Sequence, residues 1–183
     1  MLKAGVFMKL LISVNFEEES KNILYDHMKL LTQKCDKGAF TPRDNIHLTL
    51  VYVGETTQIG AVVETMDAID AEQFSVTLSE NGRFKRSGGE IYWIGIDKSP
   101  VLVKLQKILH RSLVRKGVMK DKNDFKPHLT VSRETVIAKE NIPETNFTQS
   151  IPVKRVSLMK CETTRDGNIY TEVYAKDLSS PSV

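Results

Sequence analysis

The sequence contains the same short pattern twice, 81 residues apart. His-Leu-Thr followed by an apolar residue begins at His47 and again at His128. When the chain is shifted by 81 residues, "KLLISVNF" at 9–16 aligns with "EIYWIGID" at 90–97, and "FSVTLSE" at 74–80 aligns with "RVSLMKC" at 155–161. These runs are short and rich in residues that favour strands. The pattern predicts one domain over 1–183 that contains two repeated units, about 9–80 and 90–161.

Each predicted first strand is followed by a helical pattern. In the first unit, the segment 17–35 carries acidic residues in its first turn, and Gly38 lies just beyond its expected end. In the second unit, Ser99 is the predicted N-cap, Pro100 occupies the first helical position, and Gly117 ends the helix. The apolar stripes of the two helices consist of Leu24, Met28, Leu31 and Cys35, and of Leu102, Leu105, Leu109 and Leu113.

The order strand, helix, loop and histidine strand therefore occurs twice. It predicts an α+β fold with two similar lobes related by an approximate two-fold axis. We expect each lobe to be a mostly antiparallel sheet with helices on its outer face, and a groove to lie between the lobes. Two histidines that are distant in sequence would then meet in that groove.

The repeated phrase places two polar side chains on one face of a strand. Because alternate strand residues share a face, His47 lies beside Thr49 and His128 lies beside Thr130, with apolar residues behind them. A neutral imidazole can accept a proton and a protonated one can donate it, and the threonine hydroxyls can donate to an anion. Two such pairs around one pocket suit phosphoryl transfer, with fixed donors stabilising the developing charge.

Other readings of the same residues have less support. Neither histidine phrase has a carboxylate or thiolate at the spacing of a zinc site, and no Gly-x-Ser-x-Gly motif marks a serine hydrolase. His27 and His110 lie within the predicted helices, where they complete amphipathic surfaces. A nucleotide- or RNA-binding module that uses the groove without turnover remains an alternative to an enzyme.

Composition is that of an ordinary soluble protein: the net charge is +3, and 40% of the residues are hydrophobic. Two segments, "RFKRSGG" and "RKGVMKDKNDFK", are locally basic and either meet phosphate or form solvated loops. The two cysteines, Cys35 and Cys161, have no metal or redox spacing, which favours a reducing cytoplasm. No apolar run approaches the ~18 residues of a membrane span, so no membrane partner is expected.

The paired phrases resemble those of the 2H phosphoesterase superfamily. The words "HLTLVYVGE" and "FKPHLTVSR" are similar to those of its RNA 2′,3′-cyclic phosphodiesterase branch, which is also described as 2′-5′ RNA ligase-like. The resemblance implies that His47 is the proton donor, that His128 is the proton acceptor, and that Thr49, Thr130 and Arg133 bind the phosphate.

The resemblance also implies a reaction and its partners. The expected reaction opens a 2′,3′-cyclic phosphate to a 2′-phosphomonoester without a metal or other cofactor. RNA ends or small nucleotides carrying the cyclic phosphate would be the substrates, and we expect a monomer. Formation of a 2′-5′ bond and hydrolysis of 2′-5′ oligonucleotides are alternatives within the family.

Arg133 and its counterpart do not fit a regular strand. Arg133 follows His128 by five residues, so in an unbroken strand its side chain would lie on the opposite face. A bulge near Ser132, or a long side chain wrapping around the strand, would bring it back. Tyr52 occupies the equivalent place in the first unit, and we expect it in the core rather than at a base-stacking surface.

Overall fold

The computed structural model describes residues 7–33, 35, 37–122, 124–136, 149–165 and 167–181. Strands and helices are interspersed through the first two thirds of the chain, where some strands follow one another directly, and the described residues after that contain strands but no helix. The strands are β1 Met8–Asn15, β2 Lys37–Phe40, β3 His47–Thr56, β4 Phe74–Phe84, β5 Glu90–Ile96, β6 His128–Val136, β7 Ser150–Val153, β8 Arg155–Thr164 and β9 Gly167–Asp177, and the helices are α1 Glu18–Thr32, α2 Ile59–Asp67 and α3 Pro100–Arg115.

The strands form two sheets. The first sheet has the order β3-β1-β8-β9, and the second has the order β2-β6-β5-β4-β7. Every pair of neighbouring strands runs antiparallel. The predicted α+β fold with mostly antiparallel sheets is therefore confirmed.

Corresponding elements begin close to the predicted offset. The sequence β1, α1, β3 and β4 begins at residues 8, 18, 47 and 74, and the sequence β5, α3, β6 and β8 begins at residues 90, 100, 128 and 155. The last strand of each series pairs in the sheet of the other, since β4 joins β5 and β8 joins β1. We propose that the two series are copies of one unit whose final strands are exchanged.

One apolar core supports both histidine strands. The side chains of Leu48 on β3 and of Leu129 and Val131 on β6 are at most 1% exposed, and they belong to the same cluster. Leu24 of α1 and Leu109 of α3 pack into this cluster as well. Because alternate residues face opposite sides of a strand, burial of these apolar side chains turns the histidine and threonine side chains away from the core.

The two longer helices follow their predicted patterns except at the end of α1. The prediction that Cys35 belongs to the helical stripe of α1 is wrong, because Cys35 packs against the core from beyond the helix end at Thr32. In α3 the Ser99 hydroxyl accepts a hydrogen bond from the Leu102 amide at 3.2 Å, and Gly117 adopts a φ of 70° just past the end. The prediction that Gly38 lies just past the end of α1 is wrong, because α1 ends at Thr32 and Gly38 is part of β2. Antiparallel pairing of β2 with β6 places this glycine in an edge strand.

Of the strands and helices given above for the described residues, α2, β2, β7 and β9 were not predicted from the sequence. Helix α2 has buried residues at a helical spacing, from Ile59 through Val62 to Met66, so its signal was present. In the part of the chain that the structure describes, no helix is both long and apolar enough to cross a membrane.

Candidate active site

His47 and His128 are the first residues of β3 and β6, and both line one cavity of about 250 Å³. The three other residues predicted for the site line it too. The described residues around this cavity are Lys9, Leu11, His47, Thr49, Tyr52, His128, Thr130, Arg133, Cys161, Asn168 and Tyr170. The structure therefore brings all five predicted residues together, although their roles stay predictions.

The two imidazole rings are held in the same way. Nδ1 of His47 lies 2.7 Å from the carbonyl oxygen of Asn45, and Nδ1 of His128 lies 2.6 Å from that of Lys126. A carbonyl oxygen can only accept, so each Nδ1 carries the hydrogen and donates it. Each ring therefore keeps Nε2 for the cavity: as a lone pair in the neutral form and as an N–H in the charged form.

The anchoring carbonyls have defined positions of their own. Asn45 ends a short 3₁₀ turn, in which its amide donates to the carbonyl of Pro42 at 2.9 Å, and its side-chain amide donates to the carbonyl of Asn168 at 2.9 Å. Lys126 precedes Pro127, which restricts its backbone to extended conformations. Rigid backbone on both sides therefore fixes the direction of each ring.

A bulge in β6 brings Arg133 to the cavity. Thr130 pairs with Trp93 and Ser132 pairs with Tyr92, so Val131 is an extra residue in β6. Val131 and Ser132 are consecutive and both fully buried, whereas Arg133 is exposed. Because of this extra residue, the side chain of Arg133 lies on the same face of β6 as those of His128 and Thr130.

The same irregularity occurs in β3. Thr49 pairs with Ser13 and Val51 pairs with Ile12, so Leu50 is the extra residue there. Consequently Tyr52 lines the cavity and is 55% exposed. The expectation that Tyr52 belongs to the core is wrong, because it assumed an unbroken strand.

Aromatic rings flank both histidines. The Tyr170 ring centroid lies 4.7 Å from that of His47, and those of Phe84 and Trp93 lie 5.2 and 6.0 Å from that of His128. None of these aromatics was predicted for the site, since β9 was not predicted and Phe84 and Trp93 carry no motif. They cover part of each ring and remove it from water.

The cavity has a positive character. Among the residues that the structure describes, Lys9 and Arg133 line it and no carboxylate does. Neither cation forms an ion pair within the described ranges. Two uncompensated cations and two threonine hydroxyls suit a bound anion.

Burial lowers the pKa of both histidines. At His47 the hydrogen bond to the Asn45 carbonyl opposes this decrease, and the charges of Arg133, His128 and Lys21 add to it. At His128 burial again has the largest effect, the bond to the Lys126 carbonyl opposes it, and Arg133 adds to it. Both imidazoles are therefore biased towards the neutral form until an anion enters, because a nearby negative charge favours the protonated form.

No group of three or more histidine, cysteine, aspartate or glutamate side chains that could hold a metal ion occurs within the described ranges. Cys161 is buried and pairs in register with Tyr170 on β9. The metal-free reaction predicted from the sequence stays a prediction and needs its own test.

Comparison with known proteins identifies the family. A family model described as "2′-5′ RNA ligase superfamily" matches residues 18–165, which is more than half of the chain. The chain belongs to this superfamily. This confirms the resemblance noted in the sequence and the expectation of an enzyme.

Individual relatives agree with this membership. An RNA 2′,3′-cyclic phosphodiesterase of Escherichia coli K12 is 30% identical over 139 residues, which cover 74% of this chain and 77% of the relative. An enzyme of the same name from Aeropyrum pernix is 27% identical over 144 residues, covering 72% and 81%.

Solved structures show the same fold. Escherichia coli LigT complexed with 3′-AMP superposes with a TM-score of 0.80 at 24% identity, covering 96% of this chain and 100% of the other. The protein TT0787 of Thermus thermophilus gives a TM-score of 0.81 at 20% identity with the same coverage. At these identities the likeness supports the fold alone.

The packing of Trp93 against Gly82 gives a test of the aromatic support. A Cβ atom at Gly82 would lie 2.2 Å from the Trp93 ring. We expect Gly82→Ala to displace the ring, to shift its emission spectrum and to lower stability by about 1–3 kcal/mol. Trp93 is the only tryptophan in the sequence, so intrinsic fluorescence and urea unfolding measure both effects.

Gly60→Ala is the matched control for this prediction. No atom lies within 4 Å of a Cβ at Gly60, which is in α2, so this substitution should leave the emission unchanged and should not destabilise the protein. An unchanged emission spectrum in Gly82→Ala would show that the ring does not depend on this contact.

Proposed function

We propose that the protein hydrolyses the 2′,3′-cyclic phosphate of RNA or nucleotide ends to a 2′-phosphomonoester, without a metal, by acid-base catalysis with two histidines. The observation that carries the proposal is the matched pair of imidazoles. Each donates from Nδ1 to a backbone carbonyl, and both present Nε2 to one cavity without a described carboxylate. Membership of the 2′-5′ RNA ligase superfamily and the names of the relatives support the same substrate class.

The protonation state that each histidine needs follows from the hydrogen bond between its Nδ1 and a backbone carbonyl. His128 is the acceptor: in its neutral form the Nε2 lone pair takes a proton from water as that water attacks phosphorus. His47 is the donor: its Nε2 must carry a proton, so this ring is an imidazolium, since its Nδ1–H is already committed to Asn45. The P–O3′ bond breaks as the new P–O bond forms, and the departing 3′ oxygen takes the His47 proton.

The remaining groups stabilise charge on phosphorus. The Thr49 and Thr130 hydroxyls and the Arg133 guanidinium line the same cavity, where they donate to the non-bridging oxygens. Tyr52 stands where an arginine would stand in a fully symmetric site, so among the described residues Arg133 is the guanidinium of the cavity, and the other cation that lines it is the ammonium of Lys9 on β1.

The first prediction concerns the two histidines. We expect His47→Ala and His128→Ala each to reduce hydrolysis of a cyclic-phosphate-ended RNA by at least about 10²–10⁴-fold, because each removes one proton transfer. Activity of the unmodified protein should persist in excess chelator. Product identity, 2′- rather than 3′-phosphate, is read by chromatography, and circular dichroism confirms that the variants are folded.

Three outcomes would contradict this mechanism. Loss of activity on chelation would require a metal, and a 3′-phosphate product would reverse the position of the leaving oxygen. Tight binding of the RNA by the unmodified protein without turnover would favour the binding module instead.

The pH dependence follows from the pKa directions. The active form has one protonated and one neutral histidine, and it is most abundant between the two pKa values. Since both pKa values are lowered from 6.5 in the free protein, kcat/KM should be bell-shaped with its maximum below pH 6.5. The bound phosphate raises both values, so the kcat profile should be displaced to higher pH. A kcat/KM maximum well above pH 6.5 would show that burial does not control these rings.

Arg133 provides a test of anion recognition. A charge-assisted hydrogen bond contributes about 1.5–3 kcal/mol, so Arg133→Gln should weaken competitive inhibition by inorganic phosphate and lower kcat/KM by roughly 10–100-fold. Arg133→Lys should restore part of the loss. Arg155→Gln is the control, because Arg155 pairs with Glu172 at 2.8 Å and does not line the cavity. Equal losses of kcat/KM in Arg133→Gln and Arg155→Gln would show that the effect comes from the net charge of the protein and not from a contact of Arg133.

A further inference from the structure

The two long helices occupy the same place in their series but differ in charge. Helix α1, with the sequence EESKNILYDHMKLLT, carries three acidic and two basic residues. Helix α3, with the sequence PVLVKLQKILHRSLVR, carries four basic residues and no acidic one. Packing against the core requires an apolar face of either helix but no particular charge on the other face. The bias of α3 therefore calls for a separate explanation.

The four cations of α3 form one exposed stripe, which we call the α3 basic face. Lys104, Lys107, Arg111 and Arg115 are spaced three and four residues apart, so they lie on one side of the helix over about 16 Å. All four are exposed, and none forms an ion pair with a described residue. By contrast, Lys116, just past the helix, pairs with Glu64 at 2.9 Å.

A shallow groove of about 470 Å³ runs along this face. Cations and apolar side chains line it, and no described carboxylate does. Its lining consists of Pro100, Val103, Lys104, Lys107, Ile108 and Arg111. Carboxylates lie towards one end, where Asp70 and Glu72 share a different cavity with Lys104. Lys107 and Arg111, unlike Lys104, therefore share neither of these cavities with a described carboxylate.

The α3 basic face adjoins the candidate active site. Gln106 and His110, on the inner side of the helix, line a cavity of about 300 Å³ together with Thr49 and His128. Lys107 and Arg111 each follow one of these inner residues, so they lie about 100° further around the helix axis. Among the four cations of the α3 basic face, these two are therefore the nearest to the edge of the helix that lines the cavity.

The loop after α3 continues the charge towards the site. Lys122 and Lys126 line the same 300 Å³ cavity, and the Lys126 ammonium lies 5.9 Å from the centroid of the Phe84 ring. Asp124 also lines this cavity, and Asp121 lies 3.7 Å from Nε2 of His110, so the loop is mixed in sign although basic on balance. The described residues of the locally basic segment noted in the sequence, 115–122 and 124–126, thus lie between the stripe and His128 along the chain.

We propose that the α3 basic face binds the phosphate backbone of an RNA whose 3′ end occupies the active-site cavity. This inference rests on the proposed function and narrows its substrate class to polynucleotides rather than free cyclic nucleotides. Unpaired cations along a surface are the electrostatic footprint of a nucleic-acid backbone, because each neutralised phosphate releases counterions. The continuity with the histidine cavity favours RNA over an anionic membrane surface.

The test compares two substrates and two matched triple variants. The substrates are a 2′,3′-cyclic mononucleotide and a decanucleotide that ends in a 2′,3′-cyclic phosphate. One variant combines Lys104→Gln, Lys107→Gln and Arg111→Gln. The other combines Lys29→Gln, Lys154→Gln and Arg155→Gln, which removes the same types and number of charges from cations that are paired with Asp26, Glu17 and Glu172.

For the decanucleotide, we expect the substitutions in the α3 variant to raise KM about tenfold at low salt. They should also flatten the slope of log(1/KM) against log[salt] by about 2, because three cations are removed and each single-strand phosphate contact contributes ~0.7 to that slope. For the mononucleotide, kcat/KM should be unchanged. The control variant should change neither. Retention of the full salt slope in the α3 variant, or equal losses in the two variants, would overturn the proposal.

Two further measurements distinguish this proposal from the proposed hydrolysis and from membrane binding. Fluorescence anisotropy with a decanucleotide ending in a 3′-phosphate measures binding without turnover, so the α3 face is tested even if the unmodified protein hydrolyses neither substrate. Cosedimentation with vesicles that contain phosphatidylserine tests a membrane. Vesicle binding that the α3 variant loses, together with unchanged RNA binding, would assign the face to a membrane surface and overturn the proposal.

Discussion

The hydrogen bond from Nδ1 of each histidine to a backbone carbonyl fixes what the site can do. Asn45 and Lys126 each precede their histidine by two residues, and each supplies an acceptor that cannot donate. The bond fixes the ring direction and assigns Nε2 to the cavity. The proposed acid and the proposed base therefore begin from the same tautomer, and only the second proton on His47 distinguishes them.

The apolar cluster that β3 and β6 share explains how two strands of different sheets present these rings to one cavity. Leu48 and Leu129 directly follow the histidines, and both are buried in one apolar cluster. This much could be predicted from the sequence, because alternation along each strand and the recurrence of the phrase are visible in the residues. The position of Tyr52 could not, and Arg133 was expected at the site only through the family resemblance, since each depends on one extra residue in a strand pair. The residues at the two bulges, Leu50–Val51 and Val131–Ser132, do not themselves show that a strand is irregular there.

The missed residues share a physical reason. Lys9 and Tyr170 reach the cavity from β1 and β9, which neighbour β3 and β8 only through sheet pairing. A single sequence carries no record of such lateral neighbours. Gly38 shows the reverse error: a local signal for a helix end was outweighed by pairing of β2 with β6. Local motifs thus located the proposed reacting groups, whereas tertiary pairing determined their surroundings.

Corresponding positions in the two series of elements share backbone geometry but differ in charge, so the two sides of the site are not equivalent. The bulge that presents Arg133 on β6 presents Tyr52 on β3, and the helix that carries four cations after β5 is matched by a mixed helix after β1. A symmetric pair of histidines alone would accept a phosphate in either orientation. Under the proposed function, positive charge at Arg133 and along α3 would favour the orientation in which the polyanionic part of the substrate extends over the second series of elements. In the proposed mechanism, the assignment of donor to His47 and acceptor to His128 would then follow from where the RNA chain is held, because the Nδ1 anchors of the two rings are alike.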